Sequence, residues 1–206
     1  MEDKKLNEKE SLELIAQMIQ NSKKNLQVGR GNQFLLWGYP CAIVSMLIFI
    51  MLTITQDVYW NLLWLVVPLV GLPILARKNL MKENKMVTTY TDSVLTSVWQ
   101  TVGGLGTGAA FLLSVYWNKL PLMMAAVLVC CAMGVAITGG IIKDKWMSNA
   151  GMFSFVMGAC MIAQPESTVA GWYPQYLIFS LCFVFMMIIP GHRLNKEQKI
   201  DLIREK

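Results

Sequence analysis

The side chains able to do acid–base chemistry are few and scattered. His192 is the one histidine and follows Gly191; Asp92, Ser93 and Asp144 fall on the same side of the chain. A serine, an imidazole and a carboxylate become nucleophile, base and orienting group only when they meet within hydrogen-bond reach. No spacing brings these three together, and a histidine satisfied at an interface is the favoured reading. Asp57 and Glu166 share the other side and could hold a cation, but loop carboxylates bathed in water are the default.

Two further patterns invite chemistry and fail on inspection. Gly103-Gly104-Leu105-Gly106-Thr107-Gly108 resembles a phosphate-cradling loop, yet it lacks a preceding strand and a following Lys-Ser/Thr and lies within an apolar run. Among 15 methionines, Met147, Met152, Met157 and Met161 lie near Cys160, and soft sulfur ligands suit Cu(I). Their spacing scatters them around a helix, where methionine is an ordinary apolar side chain. Cys41, Cys130, Cys131, Cys160 and Cys182 all sit inside apolar runs without CxxC spacing, so neither a zinc site nor a disulfide framework is expected. No cofactor and no catalytic residue is expected, and the chain does not read as an enzyme.

The elements that must position these groups are membrane helices. The 206 residues are 55% hydrophobic and 15% charged, with a mean hydropathy of +0.46. A spanning helix needs about 20 mostly apolar residues. Six runs approach that length: about 34–55, 58–76, 93–116, 120–142, 146–163 and 174–190. The expected fold is all-α, with six transmembrane helices arranged as three hairpins and preceded by an amphipathic helix. Residues 1–33 form a soluble N-terminal segment, 34–190 the bundle and 191–206 a basic tail. Pro68, Gly71 and Pro73 predict a kink or discontinuity in the second span, a feature that transporters use to build a pathway.

Charge orients the bundle. Every Lys and Arg except Lys119 lies in the tails and loops that share one side. Lys/Arg-rich short segments stay cytoplasmic, which predicts a multi-pass membrane protein with both termini inside. The first 33 residues lack an apolar core and a small-residue cleavage site, so the first span is expected to act as a retained insertion signal. No Asp, Glu, Lys, Arg or His falls near the middle of a span, which argues against a proton-coupled pump. No basic patch interleaved with aromatics is present, so nucleic acid is not an expected partner.

The N-terminal segment is the one soluble part with an organised apolar face. Asn7 and Glu10 have capping-box spacing, and Leu12, Ile15, Ile19 and Leu26 share a helical face. Glu8, Glu10 and Glu13 come early while Lys23 and Lys24 come late, as the helix dipole favours. Gly29, Gly31 and Asn32 end the helix. Such a face docks a protein partner or a second copy, or lies on the bilayer as an anchor.

Aromatic residues mark the interfaces, with Trp37 and Trp146 inside and Tyr59, Trp60, Tyr116, Trp117, Trp172 and Tyr173 outside. Tyr59, Tyr116 and Tyr173 recur at intervals of 57 residues, and Tyr59-Trp60-Asn61 returns as Tyr116-Trp117-Asn118. Three tandem two-helix units, or simply similar spacings of belt aromatics, give this pattern. Small residues permit close helix approach in lipid. Ser93, Ser97, Gln100, Gly104 and Gly108 line one stripe of the third span; Ala126, Cys130, Gly134 and Thr138 line the fourth; Ala150, Ser154 and Gly158 line the fifth. Spans three, four and five are therefore expected to form the tight centre. Gln100 should face a neighbouring helix, because an unpaired amide is costly in hydrocarbon.

Three stretches carry a resemblance: Lys9-Glu10-Ser11-Leu12-Glu13-Leu14-Ile15, Gly31 through Tyr39, and Tyr59-Trp60-Asn61 with Leu63-Trp64. They resemble a group of small six-span membrane proteins of Bacteroides-type bacteria, which has Pro where this chain has Gln33. The resemblance covers the first third of the chain. It implies an inner-membrane location and carries no activity or functional residue. The functional expectation is a regulatory or scaffolding membrane protein whose N-terminal helix meets a cytoplasmic partner or another copy. A small channel or carrier for a neutral or apolar solute, with its path near Pro68, Pro73, Gln100, Gly104 and Gly108, is the alternative. An intramembrane enzyme is a remote third.

Overall fold

A backbone surrounded by apolar side chains has few polar partners beyond itself, and the helix satisfies nearly all of its N–H and C=O groups internally. The computed structural model describes residue 13 and residues 30–82, 90–116, 120–163 and 174–204, and these are helical apart from short joints. The residues proposed to dock a partner, Leu12, Ile15, Ile19 and Leu26, lie outside the described residues, as do Trp117, Glu166, Trp172 and Tyr173.

Helix α1 spans Arg30–Thr55, and a 3-10 segment Val58–Leu65 leads into α2, Val66–Lys82. Helix α3, Tyr90–Gln100, passes through a π-helical stretch, Thr101–Gly106, into α4, Thr107–Tyr116. Helices α5, Leu120–Ile142, and α6, Lys145–Ala163, follow. Helix α7, Pro174–Phe183, continues through a second π-helical stretch, Val184–Ile188, into α8, Ile189–Arg204. Four helices are long and apolar enough to cross a membrane: Gly31–Thr55, Leu122–Ile142, Lys145–Ala163 and Pro174–Glu197; Tyr59–Ile74 is a shorter apolar helix.

Two local devices set the joints. After α1, Gln56 takes a φ of 56° and its N–H donates to the Leu52 carbonyl. Asp57 Oδ1 then accepts from the Tyr59 N–H at 3.1 Å. The Trp60 indole donates to Thr55 Oγ1 at 2.9 Å, tying the new segment to the old one. After α5, Lys143 takes a φ of 63°, and Asp144 Oδ1 caps α6 by accepting from the Trp146 N–H at 2.9 Å. A carboxylate here satisfies an orphan donor and suits the positive end of the helix dipole.

The core is built from α1, α5, α6 and the α7–α8 helix. Ile48, Leu52, Leu128, Ala132, Met147, Phe179, Phe183 and Met186 are buried in one cluster. Phe179 and Phe183 stack at 4.4 Å, and Trp64 meets Phe179 edge-on at 5.3 Å. Helices α5 and α6 share the most extensive contact. Their backbones approach closely: a Cβ on Gly151 would reach the Ala136 nitrogen at 2.6 Å, and one on Gly158 would reach the Val129 side chain at 2.8 Å and its nitrogen at 3.3 Å. Between apolar helices in lipid the gain comes from close packing rather than water release, so missing side chains stabilise this pair.

The expected centre needs correction. The fourth and fifth spans do form a tight pair, but the third does not join them as a core element. Residues 90–116 pack on the outside of α5, and α1 with the α7–α8 helix takes the central place instead. Both Pro68 and Pro73 lie within α2, and the non-α backbone precedes them, at Val58–Leu65. Pro68 is accommodated because it falls in the first turn of α2, where its missing N–H costs least. Gly71 leaves room for the Trp37 ring, which a Cβ would meet at 2.6 Å.

Candidate functional site

Two regions gather polar groups. The first is one end of the bundle, where α1 crosses α8. The Gly31 and Gly191 backbones pack against each other, and Asn195 closes over Gly31. The Asn195 amide donates to Asn32 Oδ1 at 2.8 Å. One turn further in, the Tyr39 hydroxyl and His192 Nε2 are 2.7 Å apart, with the two rings edge-to-face. Arg193 fans the other way, its guanidinium 5.8 Å from the centre of the Trp146 ring and 4.0 Å from Glu197. The Trp146 contact brings the α5–α6 turn, with Lys143 and Lys145, to the same end as the start of α1. The Val58–Leu65 segment marks the opposite end, where the Tyr176 hydroxyl donates to Asn61 Oδ1 at 2.7 Å.

This arrangement dissolves the imagined triad. His192 is held by Tyr39 on α1, and Asp144 spends Oδ1 on the backbone of α6. Ser93 lies on α3 in a different contact set. Asp57 likewise serves as a cap. The methionines of α6 do not converge either: Met147 and Met161 are buried, whereas Met152 is 60% exposed.

The second region is the helix Tyr90–Tyr116, which has two opposite stripes. Leu95, Trp99, Val102, Gly106 and Ala110 face α5 and the core. Trp99 donates its indole N–H to Thr138 Oγ1 at 3.1 Å, and Thr138 passes its own proton to the Gly134 carbonyl at 2.6 Å. Gly134 makes room for Val102 and Trp99, and Gly106 for Cys130. Phe34 of α1 meets Trp99 edge-on at 5.4 Å. The small-residue stripe of the fourth span thus receives this helix, as read from sequence.

The other stripe is turned outward. Ser93, Ser97, Gln100, Thr101, Gly104 and Gly108 are exposed. A Cβ built on Gly103, Gly104 or Gly108 meets nothing within 4 Å. Among the described residues the GxxxG pair therefore makes no helix contact and Gln100 faces no neighbouring helix, contrary to the expectation for both. The glycine that does approach α5 is Gly106. Ser97 Oγ donates to the Ser93 carbonyl at 3.0 Å and Thr101 Oγ1 to the Ser97 carbonyl at 2.9 Å, while the Gln100 side chain makes no hydrogen bond among the described residues. A groove of about 420 Å³ runs beside this stripe, lined by Ser93, Ser97, Thr101 and branched aliphatic residues including Ile137 of α5.

Trp99 and the Tyr39–His192 pair were missed as structural contacts. Trp99 carried a signal, since a tryptophan mid-span needs a partner for its N–H, and Thr138 lies in the stripe read for packing. No local pattern links Tyr39 to His192, 153 residues later. No family model, curated protein or solved structure matches this chain.

Proposed function

We propose that this chain is a six-span protein of a bacterial inner membrane with both ends cytoplasmic, acting as a regulatory or scaffolding partner through its N-terminal helix. Residues 58–82 and 90–116 supply the second and third spans in this reading. The observation that carries it is the crossing of Gly31 with Gly191 and Asn195. It sets the start of α1 beside α8 at one end of the bundle, and Arg193 beside Trp146 brings Lys143 and Lys145 there too, which supports a common side for the N-terminal segment and the basic tail. The soluble material and nearly all positive charge then share one side, where Leu12, Ile15, Ile19 and Leu26 meet a protein. Affinity purification of the full chain and of a chain lacking residues 1–28 tests this. A partner should co-purify with the first and be lost from the second while the bundle keeps its melting behaviour; an unchanged partner profile refutes the docking role.

A second reading has its own support. The outward hydroxyls of Ser93, Ser97 and Thr101 with the Gln100 amide offer a polar lining for a neutral solute between copies of the chain. Reconstituted vesicles should then pass a small neutral solute, and Gln100→Leu should abolish the flux. Absence of flux across a broad solute panel removes this reading.

A further inference from the structure

We propose that the seam between α6 and the α7–α8 helix holds an anionic phospholipid at the end of the bundle where Arg193 meets Trp146. The inference rests on the membrane reading of these two elements, each long and apolar enough to cross a bilayer. It does not depend on how many other spans accompany them. The Arg193 guanidinium lies 5.8 Å from the centre of the Trp146 ring. The electron-rich ring face holds the cation in place and leaves its N–H donors for another partner. Its one charged neighbour, Glu197, is 4.0 Å away, beyond hydrogen-bond reach, and the two side chains are 44% and 47% exposed. An ion pair so open to water is worth little. Neither the guanidinium nor the Trp146 indole N–H makes a hydrogen bond among the described residues.

The charge around this pair is one-sided. Lys143 and Lys145 flank the α5–α6 turn, Lys196 follows Arg193 on α8, and all three are exposed. The carboxylate of that turn, Asp144, faces inward: Oδ1 accepts from the Trp146 and Met147 N–H groups, and Oδ2 is buried. The positive end of the α6 dipole adds to the same side. At the opposite end of the bundle the joint Gln56–Asp57 carries a carboxylate and no cation. An anion is therefore drawn to the Arg193 end.

The surface below identifies that anion as a lipid. From Trp146 the chain of α6 runs into the apolar zone, and from Arg193 the α8 chain leads back into it. Phe153, seven residues after Trp146, returns to the same face of α6, and Ile189, four residues before Arg193, to nearly the same face of α8. They lie about 10 Å and about 6 Å deeper than the residues above them. Phe153 is 57% exposed and Ile189 half-buried. An acyl chain lies along these two while its phosphate oxygens accept from the guanidinium and the indole N–H. Tryptophan favours this level of a bilayer, and basic pockets between membrane helices take anionic headgroups.

The test is native mass spectrometry of the full-length chain, released from detergent with equal amounts of phosphatidylglycerol and phosphatidylcholine of the same acyl chains. Wild type should retain phosphatidylglycerol in preference. Arg193→Gln and Lys145→Gln should each weaken that binding about fivefold, the scale of one basic residue at an anionic surface. Arg77→Gln, which removes the same charge from α2, should leave it unchanged. Arg193 is exposed, so its substitution should keep the melting temperature in phosphatidylcholine; Lys145→Gln, a side chain without a partner among the described residues, covers the case in which it does not. A wild type without preference, undiminished binding in both variants, or an equal loss from Arg77→Gln overturns the inference. So does full competition by glycerol phosphate, which carries the phosphate without the chains and would show a plain anion site. An alkaline carbonate wash of native membranes separates this from the membrane reading: release of the chain removes that reading and the lipid site with it. Retention without preference for phosphatidylglycerol removes only the lipid site.

Discussion

Ser45 and Ser180 clasp α1 to α7 reciprocally. Ser45 Oγ donates to the Tyr176 carbonyl at 2.7 Å, and Ser180 Oγ donates to the Ala42 carbonyl at 3.0 Å. Each helix gives one hydroxyl and one carbonyl, so the pair fixes both the separation and the axial register of two antiparallel helices. Both serines are buried.

Replacing either serine with alanine removes a donor but leaves the carbonyl bonded within its own helix. The loss should therefore be modest, about 0.6–1.7 kcal/mol for each. The double variant should lose less than the sum, since the first break already frees the register. Denaturant titration of the detergent-solubilised protein checks this; strictly additive losses would show the two bonds to be independent.

Glycine substitutions should divide sharply by location. Gly151→Leu forces a side chain onto the Ala136 backbone, which cannot yield as a side chain does. Overpacking costs about 1–3 kcal/mol where side chains can shift, and more is expected here. Gly104→Leu meets open space and should leave the melting temperature nearly unchanged. Equal effects of the two would contradict the placement of residues 90–116.

The Tyr39–His192 bond joins α1 to α8 at an exposed level. Tyr39→Phe keeps the ring-on-ring contact and removes only the hydrogen bond. The expected loss is about 0.5–1 kcal/mol, at the low end of the range for a single bond because water competes there. His192→Ala should cost more, since the ring contact goes too. A double-mutant cycle on melting curves measures the coupling, and a coupling of zero would show that the bond contributes nothing to stability.

Topology is open to direct labelling. In intact cells stripped of the outer membrane, Asp57→Cys should react with an impermeant thiol reagent and Lys143→Cys only after permeabilisation. The reverse pattern would invert the orientation inferred from the placement of lysine and arginine.

Much of this protein was legible as sequence because the relevant signals are local. Run length marked six apolar runs, four of which lie in helices long enough to cross a membrane, and it placed the two-residue joint at Gln56–Asp57, though not the capture of the Tyr59 N–H by the Asp57 carboxylate. The close α5–α6 pair was readable from small residues at four-residue spacing, as at Ala150, Ser154 and Gly158. Periodicity also placed Ser93, Ser97, Gln100, Gly104 and Gly108 on one face. It did not say which way that face turns. In water an apolar stripe marks the inward side, because burying it is favourable. In a bilayer the surroundings are as apolar as leucine, so that cue vanishes and a small-residue stripe fits a neighbouring helix in the same chain or in another. Only the tertiary structure decided that Gly106 meets α5 while Gly104 looks outward, and only it brought His192 to Tyr39. Those outcomes depend on which helices are neighbours, and neighbourhood is a property of the whole bundle rather than of any one span.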